Sequence, residues 1–286
     1  MTPAAVLRTA PHLQPEARGH DTPLRITGRV ARPVTGPVFG PLIRATVVGA
    51  SPAAVYLQLG DGRLLAAVSE DAVALPCSVV LGAPAARLPL GGLRGAAVVG
   101  GGLVRLSGLD IVVGDPFETA VTAPTRLDAT ALRAVRRVAA QSPRSDTGLT
   151  EAQFQALSDV SRRGQHLIRS VQALLGGGPG LTPAGDDALC GYLTAAAAGL
   201  VPICVADELR HEVALRSGRA TTTLSGQLLG YAAAGQAVPQ LRYLVDALAG
   251  ADRVEGCWLD VLAIGHTSGP ALAAGFAAAL TRIDAR

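Results

Sequence analysis

The segment from Gly176 to Asp187, GGGPGLTPAGDD, concentrates residue types that bind ligands. Five of its first ten residues are glycine, so the backbone can approach a ligand closely and present several N–H groups. A helix predicted to begin near Asp186 adds positive potential, which suits a phosphate or a carboxylate. We therefore predict a ligand site in this loop. The predicted binding residues are Gly178, Gly180, Thr182 and Gly185.

Two adjacent carboxylates, Asp186 and Asp187, end this segment, and we predict both as catalytic residues. Carboxylates in a first helical turn also stabilise the helix start. They can instead bind a Mg²⁺ ion that bridges to a phosphate, or accept hydrogen bonds from an amide or amine substrate. These alternatives remain open, and Mg²⁺ is the candidate cofactor although none is certain.

Two further predicted helix starts carry donors and hydroxyls. In GHTSGP, residues 265–270, Ser268 is either a plain N-cap or a ligand contact, and His266 is either a general base or a structural histidine. In RATTTLS, residues 219–225, Arg219 can grip a carboxylate or phosphate, while helix capping by the threonines is the simpler explanation. Three such starts predict a shared site for a small anion. The additional predicted site residues are His266 as catalytic, and Arg219, Thr221, Thr222, Thr267 and Ser268 as ligand-binding.

The composition excludes several classes of function. All 25 basic residues are arginine, which rules out a Schiff-base lysine and the phosphate-binding lysine of a Walker loop. The densest basic group, Arg133, Arg136 and Arg137, has no accompanying aromatic residue, so we predict no nucleic-acid partner. The four cysteines form no C-x-x-C pair, so neither a zinc knuckle nor a disulfide framework is indicated, and they are predicted to be small buried apolar residues.

The pattern of apolar residues predicts an α+β protein in three parts. Residues 1–24 are Pro-rich and aperiodic, which predicts a flexible leader. Residues 25–123 read as a small β-sheet or barrel-like domain, with a hairpin over 54–68 that turns at Asp61-Gly62. Residues 124–286 read as an all-α, alanine-rich helical domain. No stretch reaches the length of a membrane helix, which predicts a soluble cytoplasmic chain without a membrane partner.

Within the helical part, apolar residues recur at helical spacing over predicted helices. One long helix is predicted between Thr150 and Leu175, with Thr150 as N-cap, Phe154 where a capping-box partner would stand, and His166 on its apolar stripe. The other predicted helices cover residues 128–141, 186–199, 206–216, 222–234, 239–249, 254–264 and 269–283. The glycine-rich loop therefore lies between two predicted helices.

The run GPGLTPAGDDALCGYL, residues 178–193, resembles the central motif of the AllH-like family, which contains the third subunit of the oxamate carbamoyltransferase of anaerobic allantoin breakdown. The specific part is Gly-Pro-Gly-Leu-Thr-Pro-small-Gly-Asp-Asp. His266 to Gly269 and the hydroxyl run Thr221 to Ser225 also resemble family features. The resemblance implies carbamoyl transfer between carbamoyl phosphate and a small amide acid such as oxamate, by one subunit of a hetero-oligomer with two other protein types.

This implied activity is compatible with the residues, because both substrates are small anions that bear amide groups. In the mechanism we expect, the loop amides and Arg219 stabilise phosphate charge while Asp186 or Asp187 orients the attacking amide nitrogen. The Ser-Thr-Arg-Thr phosphate motif of ordinary transcarbamoylases is absent, so a classical transcarbamoylase fold is not expected. The alternative function is a non-catalytic scaffold or binding protein for an anion or small molecule.

Overall fold

The computed structural model describes residues 23–281. The predicted leader of residues 1–24 therefore falls, except for its last two residues, outside the described part of the chain. Within residues 23–281, no helix has both the length and the apolar character that crossing a bilayer requires.

The first part of the described chain is a closed barrel of eight strands, which agrees with the prediction of a small β-sheet or barrel-like domain. The strands follow the order β1-β5-β4-β3-β2-β6-β7-β8, and β1 pairs with β8 in parallel to close the barrel. A barrel leaves no open sheet edge, which removes unpaired backbone groups from solvent. The strands are β1 (Leu24–Ala31), β2 (Ile43–Ser51), β3 (Ala54–Leu59), β4 (Leu64–Val68), β5 (Ser78–Leu81), β6 (Ala96–Gly100), β7 (Leu103–Leu106) and β8 (Leu109–Phe117).

The predicted hairpin is confirmed by the antiparallel pairing of β3 and β4. Gly62 in its turn has a φ of 86°, a conformation that side chains other than glycine rarely adopt. Leu57 and Leu65, directly opposite each other in the pairing, are both fully buried in the barrel core. The alternation that predicted the strand therefore places its apolar face inside.

The second part of the described chain is helical, which confirms the α+β class with a barrel-like region first. The helices are α1 (Thr35–Phe39) within the barrel region, then α2 (Ala129–Gln141), α3 (Glu151–Asp159), α4 (Gln165–Leu174), α5 (Ala184–Ala197), α6 (Ile203–Ala220), α7 (Thr223–Ala233), α8 (Pro239–Ala247), α9 (Val254–Leu262) and α10 (Ser268–Leu280).

The single helix predicted between Thr150 and Leu175 is wrong, because the chain breaks there into α3 and α4. Gly164, just before α4, has a φ of 68°, which no right-handed helix accommodates. The break also turns His166 to the surface rather than onto an apolar stripe. Thr150 does cap α3, but its capping-box partner is Gln153 and not the residue at 154. Among the cysteines, Cys77 and Cys257 are buried as predicted, whereas Cys204 is exposed.

Helix α5 runs through the middle of the helical part, with nearly all of its residues buried, and packs most closely on α10. Two glycines permit this approach. A Cβ at Gly191 would lie 2.0 Å from the carbonyl oxygen of Leu272, and a Cβ at Gly275 would lie 1.8 Å from that of Ala188. Because the two backbones nearly touch, the start of α5 is held rigidly beside the start of α10.

The barrel and the helices are joined by the side chain of Gln227 on α7. Its carbonyl oxygen accepts a hydrogen bond from the backbone N–H of Leu64 at 2.7 Å, and its amide donates to the Leu64 carbonyl oxygen at 2.7 Å. This two-way bond places α7 against β4. The boundary between domains at residues 123 and 124 stays a prediction.

Candidate functional site

The glycine-rich loop owes much of its composition to packing. A Cβ at Gly176 would lie 2.1 Å from the carbonyl oxygen of Ala220, at the end of α6. A Cβ at Gly185, in the first turn of α5, would lie 2.0 Å from the carbonyl oxygen of Leu174, at the end of α4. Larger residues would push these helix ends away from the loop. Close packing therefore explains why glycine stands at these two positions, whether or not a ligand binds.

Several N–H groups of the loop that were predicted to bind an anion instead donate hydrogen bonds within the protein. The N–H of Gly185 donates to the Gly177 carbonyl oxygen at 2.9 Å, and the N–H of Gly177 donates to the Leu174 carbonyl oxygen at 3.0 Å. By contrast, the N–H groups of Gly178 and Gly180 have no hydrogen-bond partner within residues 23–281. Only the tip of the loop therefore keeps the donors that the sequence suggested.

Asp186 is a fully buried acceptor at the centre of the loop. One carboxylate oxygen accepts the N–H of Gly176 at 2.8 Å. The other accepts the hydroxyl of Ser225 at 2.7 Å and also the hydroxyl of Thr221. The side chain thereby ties the start of α5 to the start of the loop and to the start of α7. This bonding favours a positioning role, although the predicted catalytic role of Asp186 is not tested by it.

Asp187 has a different environment from its neighbour. Asp187 is only 6% exposed, and its Oδ2 atom has no hydrogen-bond partner among the described residues. The pKa of this carboxyl is raised from 3.8 to about 7. Burial is the largest cause and the nearby Asp186 carboxylate also raises the pKa, while the hydroxyls of Ser268 and Thr182 lower it. A carboxyl with this pKa exchanges its proton near neutral pH, as a general base must.

Asp187 borders a cavity of about 300 Å³ between the barrel and the helices. The wall is mainly apolar, with contributions from β3, β4, α5, α7, α8 and α10. Its polar members include Thr182, Asp187, Thr194, Gln236 and Ser268, together with Tyr56 from the barrel. Among the described residues, no arginine or histidine lines it. Concave, mainly apolar pockets with a few convergent polar groups and a perturbed carboxyl are the usual form of a small-molecule site.

The barrel wall of this cavity was not predicted from the sequence. Tyr56 and Val68 lie on β3 and β4, and Leu75 follows β4. Such residues carry no chemical signal of a site, because apolar residues at these positions are expected in any barrel. The local signals in the sequence, the glycine-rich loop and the segment from Gly265 to Ser268, lie on the helical side of the cavity.

The three donor-rich helix starts meet at this site. The hydroxyl of Thr182, before α5, lies 3.2 Å from that of Ser268, the first residue of α10. The hydroxyl of Thr222 donates to the Leu181 carbonyl oxygen at 2.6 Å and caps α7 by accepting the N–H of Ser225. Ser268 as a plain N-cap is wrong, because Thr267 occupies that position and makes no side-chain capping bond. Ser268 instead directs its hydroxyl towards the loop.

Two predicted site residues lie away from the cavity. His266 is exposed and does not line it. Arg219 is also exposed and borders a separate surface groove with Leu215 and Arg216 near the end of α6. Neither side chain therefore reaches a ligand in this cavity in the described conformation. The predicted roles of His266 as a base and of Arg219 as an anion-binding guanidinium stay predictions.

The donor set offers little to a metal ion. Both oxygens of Asp186 already accept hydrogen bonds, so within the pair Asp187 alone has an oxygen without a partner among the described residues. In residues 23–281, no three His, Cys, Asp or Glu side chains are grouped to hold an ion. Mg²⁺ prefers near-octahedral oxygen coordination and can retain several waters. Its participation stays a prediction.

Comparison with known proteins finds a family match within the helical part of the chain. No curated protein and no solved structure matches the chain. Residues 174–280 match the family model described as oxamate carbamoyltransferase subunit AllH. This segment runs from the last residue of α4 to the last residue of α10 and includes Asp186, Asp187 and the three converging helix starts. Over residues 174–280, the chain is therefore similar to the AllH family.

Proposed function

We propose that this chain is the acceptor-binding subunit of a carbamoyltransferase-type enzyme. In this proposal, a carbamoyl group passes from carbamoyl phosphate to the nitrogen of an amide, and oxamate is the amide that the family description names. The observation that carries the proposal is Asp187: a buried carboxyl with an oxygen unpartnered in the described chain, at the wall of the cavity between the barrel and the helices. An amide N–H is the natural partner of that oxygen.

The proposed step forms one bond and breaks another. The acceptor nitrogen attacks the carbamoyl carbon, and the bond between that carbon and the phosphate oxygen breaks, so that phosphate leaves with its electron pair. Asp187 accepts the proton that the nitrogen loses, which its pKa of about 7 permits at neutral pH. Asp186 accepts hydrogen bonds from the hydroxyls of Thr221 and Ser225 and thereby fixes the start of α5.

The donor anion needs cationic groups that the cavity does not supply. Its described lining contains one carboxylate and no arginine or histidine, so a phosphate inside it would be repelled. We propose that partner subunits provide these groups, and that the N–H groups of Gly178 and Gly180, which have no partner within residues 23–281, add donors from the loop before α5. The subunit description of the family agrees with a site completed by partners. Cytoplasmic localisation remains part of the proposal.

The alternative function is a non-catalytic small-molecule binding protein. The apolar character of the cavity favours it, because an apolar wall holds a ligand without requiring any reaction. The two functions differ in what Asp187 does: in a binding protein it recognises a donor, whereas in the enzyme it also takes a proton.

The test is an assay of the chain purified with its native partners from its own cells. Phosphate release from carbamoyl phosphate is measured without an acceptor, with oxamate and with an uncharged amide such as benzamide, for the native chain, Asp187→Asn and Asp207→Asn. We expect release that depends on an amide acceptor and falls at least 100-fold in Asp187→Asn, with the complex intact. Asp207 is paired with Arg210 on the surface of α6, so its variant should match the native chain.

Full activity of Asp187→Asn would contradict the proposed proton transfer. Absence of oxamate-dependent and other amide-dependent release in an intact complex would contradict carbamoyl transfer altogether and would favour the binding protein.

A further inference from the structure

The cavity beside Asp187 is suited to a ligand with an apolar body. On the barrel side, Ala54, Val68 and Leu75 line it, and on the helical side Leu228, Leu241 and Leu272 do. These side chains offer no hydrogen bonds to a charged or strongly polar ligand. At about 300 Å³, the space lies at the lower end of cavities that hold small-molecule ligands. Liquid water occupies about 30 Å³ per molecule, so the cavity is considerably larger than one small polar group needs.

A carboxylate is a poor occupant of this space. Within the described residues, the lining contains no cationic side chain, and the groove that shares Tyr56 and Leu224 with the cavity contains none either. A ligand carboxylate would therefore be desolvated without an opposite charge and would lie near the carboxyl of Asp187. This electrostatic cost applies directly to oxamate, whose carboxylate is bonded to its amide carbon.

The polar groups of the wall fit an amide. Asp187 offers a hydrogen-bond acceptor through Oδ2, which has no partner in the described chain. Gln236 also lines the cavity, and its side-chain carbonyl oxygen accepts the hydroxyl of Thr119 at 2.6 Å, which leaves its amide N–H groups as donors. An amide carries both an N–H donor and a carbonyl acceptor. The carboxylate of Asp187 can accept from the N–H, and the side-chain amide of Gln236 can donate to the carbonyl oxygen.

We infer that the cavity binds a primary amide with an uncharged apolar body, of the aliphatic or aromatic class, rather than oxamate or another small anion. This inference rests on the proposed function, because it names the acceptor that Asp187 would serve. The amide nitrogen lies against Asp187, and the apolar body fills the space between the barrel and the helices.

The test measures binding to the full chain by isothermal titration calorimetry at pH 8. The probes are hexanamide and benzamide, their matched acids hexanoate and benzoate, and oxamate. We expect saturable binding of at least one amide, with a Kd at least tenfold below that of its matched acid and of oxamate. Ala232, which lines the cavity, provides the blocking variant Ala232→Leu, and exposed Ala234, two residues further on, provides the control Ala234→Leu.

The blocking variant should weaken amide binding at least tenfold, while the control leaves it unchanged. Tighter binding of oxamate or of a matched acid than of the amides would overturn the inference. So would amide binding that Ala232→Leu leaves unchanged, or no amide binding at all.

The phosphate-release assay distinguishes a failure of this inference from a failure of the proposed function. Asp187-dependent transfer to oxamate would retain the enzyme and reject the apolar acceptor, whereas amide binding without any transfer would retain the ligand class and reject the enzyme.

Discussion

Asp186 and Asp187 are consecutive residues of α5, yet the two carboxylates face different surroundings. Asp186 accepts hydrogen bonds from the Gly176 backbone and from the hydroxyls of Thr221 and Ser225. Asp187 has an oxygen without any partner in the described chain and borders the cavity. Residues at adjacent helical positions point about 100° apart, which separates a carboxylate that is fully hydrogen-bonded from one that borders the cavity.

Replacing Asp186 should destabilise the fold far more than replacing Asp187. Asp186→Ala leaves the buried hydroxyl of Ser225 and two part-buried donors, the Gly176 N–H and the Thr221 hydroxyl, without their acceptor. The cost is about 1 to 3 kcal/mol for each buried group left unsatisfied. Asp187→Asn removes no hydrogen bond to Oδ2 and keeps the side-chain shape. Urea unfolding at pH 8 measures both free energies. Equal losses of stability in the two variants would contradict the assigned difference.

The stability of the native chain should depend on pH through Asp187. Its pKa rises from 3.8 in the unfolded chain to about 7 in the folded protein, so the folded state holds the proton more tightly. Stability should therefore fall as the pH rises from about 4 to about 7, with a total loss on the order of 4 kcal/mol at 1.36 kcal/mol per pH unit. Asp187→Asn should lack this loss. The unfolding free energies of both proteins across this pH range provide the measurement, and parallel pH profiles would argue against it.

The hydroxyl of Ser268 should tune the same carboxyl. It lowers the pKa of Asp187 against the larger effect of burial, so Ser268→Ala should move the midpoint of Asp187 ionisation upward. Carbon-13 NMR of the aspartate carboxyls follows this ionisation directly, with Asp187→Asn used to assign the signal. Ser225→Ala serves as a comparison, since Ser225 bonds to Asp186 and not to Asp187. A midpoint that stays constant or falls in Ser268→Ala would show that the hydroxyl does not stabilise the charged form.

The contact between α5 and α10 should tolerate no side chain at Gly275. A Cβ there would lie 1.8 Å from the carbonyl oxygen of Ala188, so Gly275→Ala must separate the two backbones, at a cost of about 3 kcal/mol or more. A Cβ at Gly230 on α7 would meet no atom within 4 Å, so Gly230→Ala is the matched control and should gain about 0.5 to 1 kcal/mol. Thermal unfolding of the two variants distinguishes them. Similar melting temperatures for both would mean that the close approach is not rigid.

Much of the fold follows from local sequence patterns. The alternation around Asp61-Gly62 predicted the hairpin of β3 and β4, and helical spacing predicted helices close to α2 and to α5 through α10. The pattern failed between α3 and α4, where apolar residues continue at helical spacing although the helix does not. The positive φ of Gly164 interrupts the helix there, and the spacing of the apolar residues does not reveal it.

The local sequence was enough to predict the position of the site, because few local structures need the glycines, prolines and adjacent carboxylates of GGGPGLTPAGDD. Tertiary structure alone decided how the two carboxylates differ, since Thr221 and Ser225 reach Asp186 from α7 and Ser268 approaches Asp187 from α10. It also decided the character of the cavity. Burial, charge and hydrogen bonding between distant segments depend on three-dimensional packing, and no local spacing encodes them.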